Sequence, residues 1–152
     1  MNQTRILFVC HGNICRSSMA QCVMQDFVNR AGRAEEFVID SAATTNEEIG
    51  EPMYPPARRK LAAEGVPIVP HRARRIRADE ADSWDLIVCM DEENLWHLRR
   101  ILGAQGMSKV QKLLAYVGED GDVADPWYTG NFDATYRDVV RGCRALLELC
   151  AE

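Results

Sequence analysis

A cysteine and an arginine lie close together in a stretch whose residue types could bind and attack a phosphate group. The stretch reads ILFVCHGNICRSS, with Cys10 after an apolar run and Arg16 before two serines. A thiolate is a strong nucleophile, and the planar fork of an arginine can hold two oxygens of one phosphate group. Gly12 permits a close approach of the backbone to a ligand. The pattern therefore indicates nucleophilic chemistry on an oxyanion.

The elements around this stretch are predicted to be a strand, a tight loop and a helix. The run before Cys10 is short, apolar and rich in β-branched and aromatic residues, as in a strand that is covered on both faces. Ser17 or Ser18 can cap the helix that follows. A loop that enters a helix points several backbone N–H groups at one place, where the helix dipole adds its positive end. This field favours a thiolate at Cys10, whereas an ordinary buried cysteine would only pack in the core.

Composition and charge exclude several classes of function. The 152 residues are 47% hydrophobic and 27% charged, which predicts one domain over residues 1–152. The net charge of −5 argues against nucleic acid and membrane partners. Six cysteines and three histidines fit neither a disulfide framework nor a zinc pattern, so we expect no metal and no cofactor. No Gly-Lys-Ser/Thr sequence ends the loop, which excludes a nucleotide-binding P-loop. With no apolar leader or transmembrane run, the expected location is the reducing cytoplasm.

Strand and helix patterns alternate along the chain, which predicts an α/β fold with right-handed crossovers. The site should lie at the carboxyl ends of the parallel strands. After the first strand, further strands are predicted over residues 37–42, 85–90 and 110–114. Helices are predicted from the serines to about residue 31, and then over residues 56–63, 91–102 and 132–150. Irregular loops are predicted over residues 44–56 and around residues 125–126.

An arginine-rich segment at residues 72–77 is interpreted as a solvated surface and not as a nucleic-acid interface. Its charge is balanced by three acidic residues that follow it directly, namely Asp79, Glu80 and Asp82.

The stretch around Cys10 resembles the signature of the low-molecular-weight protein tyrosine phosphatases, V-C-x-G-N-I-C-R-S-P, with Ser18 in place of the usual proline. Further similar stretches follow in the family's order: V-I-D-S-A around Ser41, H-R-A-R from His71, L-I-V-C-M-D up to Asp91, and D-P-W-Y from Asp125. The resemblance covers nearly the whole chain. It implies a three-layer α/β fold, with a four-stranded parallel sheet in the order 2-1-3-4 and helices on both faces.

The resemblance also implies an activity, the hydrolysis of phosphotyrosine monoesters through a phosphocysteine on Cys10. Arg16 and the loop amides would bind the phosphate, with Asp125 as general acid and base. A phenolate leaving group has a pKa of about 10 when free, so protonation by an acid speeds its departure. The expected phosphate-binding loop comprises His11, Gly12, Asn13, Ile14, Cys15, Arg16 and Ser17.

Four residues are expected to brace this site: Ser17, Ser41, His71 and Asp91. Ser17 would hydrogen-bond the sulfur of Cys10. Asn13 would adopt a left-handed backbone conformation, held by its side chain to Ser41. His71 would support the loop, with Asp91 as its partner.

Five residues are expected to form the slot for the tyrosine ring: His11, Ile14, Glu47, Trp127 and Tyr128. Many relatives place an aromatic residue where Glu47 stands, so this slot departs from the family pattern. Trp127 replaces the usual tyrosine and offers a larger face. His11 stands where an aliphatic residue is common. Cys15 lies close to Cys10 in sequence and could capture an oxidised Cys10 as a disulfide.

Three alternatives remain open from the sequence. An arsenate reductase of this fold needs two further cysteines; Cys89 could be one, but no second follows it on the next helix. Protein-arginine phosphatases of this family carry Thr at the position of Ile14. A phosphate-sensing module would bind without turnover. The expected partners are a phosphotyrosine-containing protein, with a bacterial tyrosine kinase as one candidate, and a phosphate or sulfate ion in the active site.

Overall fold

A four-stranded parallel sheet forms the centre of the computed structural model, which describes residues 2–150. Residues 1, 151 and 152 of the expected domain lie outside the described residues. The sheet has the order β2-β1-β3-β4, which confirms the predicted order. Its strands are β1 (Thr4–Cys10), β2 (Phe37–Ala43), β3 (Leu86–Cys89) and β4 (Val110–Lys112).

Five α-helices connect and follow these strands. They are α1 (Arg16–Arg30), α2 (Pro55–Ala63), α3 (Glu92–Gly106), α4 (Pro126–Thr129) and α5 (Phe132–Leu149). The predicted end of the third helix at residue 102 coincides with a break inside α3, where Gly103 has a φ of 76°. No helix of residues 2–150 is both long enough and apolar enough to cross a membrane.

The prediction for β4 was too long. Leu113 and Leu114 belong to a 3₁₀ turn, Leu113–Val117, and not to the strand. β4 lies at the edge of the sheet and pairs only with β3, whose last residue, Cys89, faces Lys112. Beyond that point the chain has no strand to pair with, so its backbone turns while both leucines stay buried.

Alternate residues of β1 point into two separate cores, as the period of a strand requires. Ile6 and Phe8 pack with residues of α1, α2 and α5 on one face of the sheet. Leu7 and Val9 pack on the other face with residues of α3, including Leu98. The helices therefore cover both faces, which confirms the predicted three-layer architecture.

The central position of β1 brings the carboxyl ends of three strands together. Cys10 pairs in register with Ala43 of β2, and Val9 pairs with Cys89 of β3. Because all strands are parallel, the loops that follow them meet at this one edge of the sheet. The residues after β1, β2 and β3 can therefore share one site.

The predicted balance of the arginine-rich segment by the acidic residues after it is confirmed for Glu80, but its pair with Arg74 is partly buried and not a solvated surface contact. The guanidinium of Arg74 contacts Asp40 and the carboxylate of Glu80, which is only 3% exposed. The indole of Trp84 also donates a hydrogen bond to Glu80. Burial raises the pKa of Glu80, but Arg74 and the hydrogen-bond donors outweigh it and hold that pKa below its ordinary value. Glu80 is thus a paired, buried anion and not a surface counter-charge.

Candidate active site

The loop after β1 turns sharply at Asn13, the only residue besides glycines in the described chain with a positive φ, 61°. This confirms the predicted left-handed conformation, but the predicted side-chain partner was wrong. The amide of Asn13 donates to Ser17 Oγ at 2.8 Å, and its carbonyl oxygen accepts from the backbone N–H of Arg74 at 3.2 Å. Ser41 instead donates to Gln21 of α1. Ser41 pairs in register with Phe8, two residues before Cys10, and so lies below the loop.

Three polar groups converge on the sulfur of Cys10. The hydroxyl of Ser17 lies 3.1 Å from Cys10 Sγ, and the backbone N–H groups of Asn13 and Ser17 donate to it at 3.3 and 3.4 Å. Cys10 is only 3% exposed, so few water molecules can reach its sulfur. These contacts surround the sulfur with hydrogen-bond donors.

The first turn of α1 lacks the predicted serine cap. Cys15 occupies the cap position without a side-chain hydrogen bond, and both serines lie inside the helix. Ser17 turns towards the sulfur, while Ser18 Oγ donates to the carbonyl of Cys15 at 3.0 Å. A side-chain cap would occupy the N–H groups at this helix end. Without it, those donors face the loop and remain available to an anion.

Arg16 is buried beneath the loop, with 2% of its side chain exposed. Its Nη1 donates to Asp91 at 2.6 Å and to the carbonyl of Val123 at 3.0 Å, and its Nη2 lies 3.4 Å from Asp125. Burial lowers the pKa of this guanidinium, but the neighbouring Cys10, Asp91 and Asp125 outweigh burial and raise the pKa above its ordinary value. Arg16 is therefore a fixed cation with a fixed orientation.

The predicted pair of His71 and Asp91 does not form. His71 Nε2 donates to the carbonyl of Asn13 at 2.6 Å, so His71 does lie against the loop. Burial lowers the pKa of His71 more than this hydrogen bond raises it, which keeps the imidazole neutral near pH 7. Asp91 follows β3 and contacts Arg16 while its other oxygen accepts from the N–H of Asn94, capping α3. Both oxygens of Asp91 are thus already used.

Asp125 lies at the start of a one-turn helix and not in the fully irregular loop that the sequence predicted. Its Oδ1 accepts from the N–H of Trp127 at 3.1 Å, and Pro126 fills the first helical position. The segment before it is fixed by Val123, whose N–H donates to the carbonyl of Met90 at 2.8 Å. Thr135 of α5 donates to the carbonyl of Ala124 at 3.0 Å. These contacts hold Asp125 beside Arg16.

One cleft of about 110 Å³ brings together Cys10, Arg16, Asp125 and all five predicted slot residues. Its lining consists of Cys10, His11, Gly12, Ile14, Cys15, Arg16, Glu47, Glu48, Asp125, Trp127 and Tyr128. A concave site with a few convergent polar groups is typical of a small-molecule site. Trp127 and Tyr128 are 53% and 82% exposed at its mouth. The floor is polar and the mouth is aromatic.

Two residues of this region escaped the sequence analysis, namely Glu48 and Tyr54. Glu48 lies against the loop, so that a Cβ on Gly12 would come within 3.3 Å of its Cγ. Tyr54 packs under Trp127 with 4.8 Å between ring centroids, and its N–H donates to the carbonyl of Ile14. The only indication in the sequence that Glu48 belongs to this region is its position next to Glu47. No sequence pattern around Tyr54 predicts that it packs against Trp127.

Glu47 is tied to the loop and does not extend freely into solvent. His11 lies between two carboxylates, with Nε2 at 2.5 Å from Glu47 and Nδ1 at 3.2 Å from Glu93 of α3. Together with Glu48, the two partners of His11 bring three carboxylates to the mouth of the cleft.

The remaining cysteines differ sharply in their access to the cleft. Cys15 lines it, and burial together with the nearby Cys10 raises the pKa of its thiol. Cys89 is fully buried within β3, and burial raises the pKa of its thiol as well. No group of three or more metal-binding side chains occurs among residues 2–150.

Comparisons with known proteins agree with this geometry. The family model described as low molecular weight phosphotyrosine protein phosphatase matches residues 5–152. The chain is 38% identical over 145 residues to the low molecular weight protein-tyrosine-phosphatase YfkJ of Bacillus subtilis, covering 93% of this chain and 92% of that protein. It is 36% identical over 148 residues to the human low molecular weight phosphotyrosine protein phosphatase, covering 94% of this chain and 93% of that protein.

Solved structures show the same similarity. The crystal structure of YfkJ superposes with a TM-score of 0.92 at 36% identity, covering 97% of this chain and 94% of that one. The crystal structure of a Drosophila arginine phosphatase superposes with a TM-score of 0.86 at 27% identity, covering 97% of this chain and 98% of that one.

Proposed function

Because the chain belongs to the low molecular weight phosphotyrosine protein phosphatase family, and is a protein-tyrosine phosphatase, we propose that it acts through a phosphocysteine on Cys10. The observation that carries this proposal is the convergence of Ser17 Oγ and two backbone N–H groups on Cys10 Sγ. These donors stabilise the sulfur as a thiolate before the attack and as a leaving group after it. An ordinary core cysteine needs no such contacts.

The phosphate group would bind between the loop and Arg16. The dianion would meet the backbone N–H groups of residues 11–16, the N-terminus of α1 and the guanidinium. Asp91 and the carbonyl of Val123 hold that guanidinium in place, so little reorganisation is needed when charge moves in the transition state. A free phosphate or sulfate ion is expected to occupy the same cradle.

The reaction would take two displacements. In the first, the Cys10 thiolate attacks phosphorus, the bond to the tyrosyl oxygen breaks, and protonated Asp125 gives its proton to that oxygen. In the second, the Asp125 carboxylate takes a proton from water while the water oxygen attacks phosphorus. The phosphorus–sulfur bond then breaks, and the thiolate and inorganic phosphate are released. Each half leaves Asp125 in the form that the other half needs.

The cleft mouth favours an aromatic phosphate ester. Ile14 belongs to the phosphate-binding loop and lines the same cleft as Trp127, where it offers an apolar wall to a ring. A phosphoarginine would need a polar group there, and threonine stands at this position in the arginine phosphatases of the family. We therefore expect Ile14→Thr to shift selectivity from phosphotyrosine towards phosphoarginine peptides. Higher wild-type activity on phosphoarginine would contradict this substrate class.

Arsenate reduction fits the site poorly. The relay of a disulfide needs two further thiols. Cys15 lines the cleft, but Cys89 is fully buried outside the cleft lining and cannot serve as the other one. A reducing compartment, such as the cytoplasm, suits an enzyme whose nucleophile must stay a thiol. The substrate would be a phosphotyrosine-containing protein, with a bacterial tyrosine kinase as one candidate.

The role of Asp125 can be tested with a pair of leaving groups. Asp125→Ala should lower kcat strongly for phenyl phosphate or a phosphotyrosine peptide, because their leaving groups need a proton. It should lower kcat far less for p-nitrophenyl phosphate, whose leaving group departs without one. Equal losses on both substrates would reject Asp125 as the acid. Asp133, an exposed carboxylate outside the cleft, provides the matched control Asp133→Ala.

A further inference from the structure

An open groove bordered by arginines lies between residues 75–78 and residues 100–101 of α3. Three arginines border it: Arg75, Arg77 and Arg100. Its apolar lining comes from Ile76, Ala78 and Ile101. The groove shares no lining residue with the catalytic cleft. Its chemistry suits a short extended peptide that carries an anionic side chain.

Two of these arginines have no acidic partner among the residues that the structure describes. The Nε of Arg75 donates to the carbonyl of Thr44 at 3.2 Å, and the guanidinium of Arg100 stacks on Trp96 at 4.8 Å. Arg77, in contrast, contacts Asp79 at 3.3 Å. Two unpaired cations beside one groove are notable in a chain of net charge −5, where acidic side chains are plentiful. Each retains donors for a carboxylate or a phosphate.

A single face of α3 connects this groove to the mouth of the cleft. Glu93, Trp96, His97 and Arg100 follow one another at spacings of three, one and three residues, which places them along one side of the helix. Glu93 contacts His11 at the cleft mouth, and Trp96 is 53% exposed halfway along. Arg100 follows Glu93 by seven positions, a rise of about 10 Å along a helix.

We propose that this groove binds an acidic residue of the substrate protein, three to five positions from the phosphotyrosine. An extended chain advances about 3.3 Å per residue, so about three residues cover the distance along α3. Trp96 would support the intervening backbone, and Arg100 and Arg75 would hold the anion. This inference rests on the proposed function, since it extends the substrate of the same cleft.

The cleft mouth makes the expected preference depend on position. Glu47, Glu48 and Glu93 lie near the phosphotyrosine, so an acidic residue directly beside it meets like charges. The same acidic residue placed further along reaches Arg100 and Arg75. A general attraction or repulsion between the protein and the peptide cannot explain such a dependence on position, because the net charge of the peptide is the same in both cases.

The test uses phosphotyrosine peptides of one composition, each with a single glutamate moved from six positions before the phosphotyrosine to six positions after it. We expect wild-type kcat/KM to be lowest with the glutamate adjacent and highest at three to five positions on one side. Arg100→Glu should lower kcat/KM for the preferred peptide by about threefold to fivefold, as the loss of one ion pair at a surface site allows. Turnover of p-nitrophenyl phosphate should stay within about twofold.

Arg99→Glu is the matched control, since Arg99 is exposed on the same helix, carries the same charge and does not line the groove. An equal loss in Arg99→Glu would overturn the proposal in favour of a long-range field. A wild-type kcat/KM that ignores the position of the glutamate would overturn it as well. Failure of the wild type on every phosphotyrosine peptide would reject the proposed function itself, a result distinct from both.

Discussion

The ion pair between Arg16 and Asp91 should stabilise the folded protein measurably, and Asp91→Asn isolates its charge. Asp91 Oδ2 accepts from Arg16 at 2.6 Å, while Oδ1 caps α3 by accepting from Asn94. Asparagine keeps the shape and an acceptor for the cap, so the substitution removes mainly the negative charge. Asp91→Ala removes the charge and the cap together.

The size of the effect follows from burial. Only 2% of the Arg16 side chain and 20% of the Asp91 side chain are exposed, so water replaces the lost partner poorly. A hydrogen bond to a charged group contributes about 1.5–3 kcal/mol, and the carbonyl of Val123 still holds Arg16 in the variant. We expect Asp91→Asn to lose roughly 2 kcal/mol, which lowers Tm by about 4–8 °C for a chain of this size. Asp91→Ala should lose about 1 kcal/mol more.

Urea denaturation measures both variants with and without phosphate. Without phosphate, the order of stability should be wild type, Asp91→Asn, then Asp91→Ala. Added phosphate should narrow the gap between wild type and Asp91→Asn, because the bound dianion gives Arg16 a new partner. An Asp91→Asn variant as stable as wild type in phosphate-free buffer would refute the argument that this pair is a stabilising contact.

Three further outcomes are expected. Burial lowers the pKa of His71, so the folded state binds fewer protons at this residue than the unfolded chain does. The stability that the neutral His71 contributes is therefore present above about pH 6.5 and is lost as the pH falls further. The unfolding free energy of His71→Gln should therefore decrease less between pH 7 and 5 than that of wild type. Glu47→Trp should lower KM for phosphotyrosine peptides, most for acidic ones and most at low salt, because it adds a wall and removes a charge. Peroxide inactivation should be reversed by dithiol in wild type and less completely in Cys15→Ser, because a disulfide protects Cys10 from further oxidation.

Each of these outcomes has a contrary result. Parallel pH profiles for wild type and His71→Gln would mean that His71 is not held neutral by folding. An unchanged KM in Glu47→Trp across neutral and acidic peptides would place Glu47 outside the slot. Identical recovery of wild type and Cys15→Ser after peroxide would remove Cys15 as the resolving thiol.

The features that the sequence predicted correctly are those that depend on residues close together in the chain. The strand, loop and helix around Cys10, the left-handed Asn13 and the parallel sheet order follow from local residue types or from the family resemblance, and the structure agrees. Successive side chains of the first strand point into two different cores. Four consecutive apolar residues in the sequence already indicate that both faces of this strand are buried. Local signals were sufficient here because neighbouring residues make the contacts concerned.

Contacts between distant residues were harder to predict. Arg16 and Asp91 are 75 residues apart, and nothing in either neighbourhood indicates that they meet. The sequence predicts a pair of His71 with Asp91 and a pair of Asn13 with Ser41, and the structure shows neither. His71 contacts the carbonyl of Asn13, and the register of β1 and β2 places Ser41 below the loop. The serine cap failed for a different reason, since Ser17 contacts the Cys10 sulfur instead of the helix end. Local preference gave way there to a contact within the candidate site.

The most direct test of the proposed mechanism is to trap the covalent intermediate. Wild-type protein is mixed with excess p-nitrophenyl phosphate, quenched in acid within the first turnovers and analysed by intact-protein and peptide mass spectrometry. The mechanism predicts one added phosphoryl group, located on Cys10, and none in Cys10→Ser. Asp125→Ala should accumulate more of this species, because no carboxylate then activates the attacking water. A phosphoryl group on another residue, or an unlabelled protein that nevertheless releases a burst of nitrophenolate, would contradict the central claim.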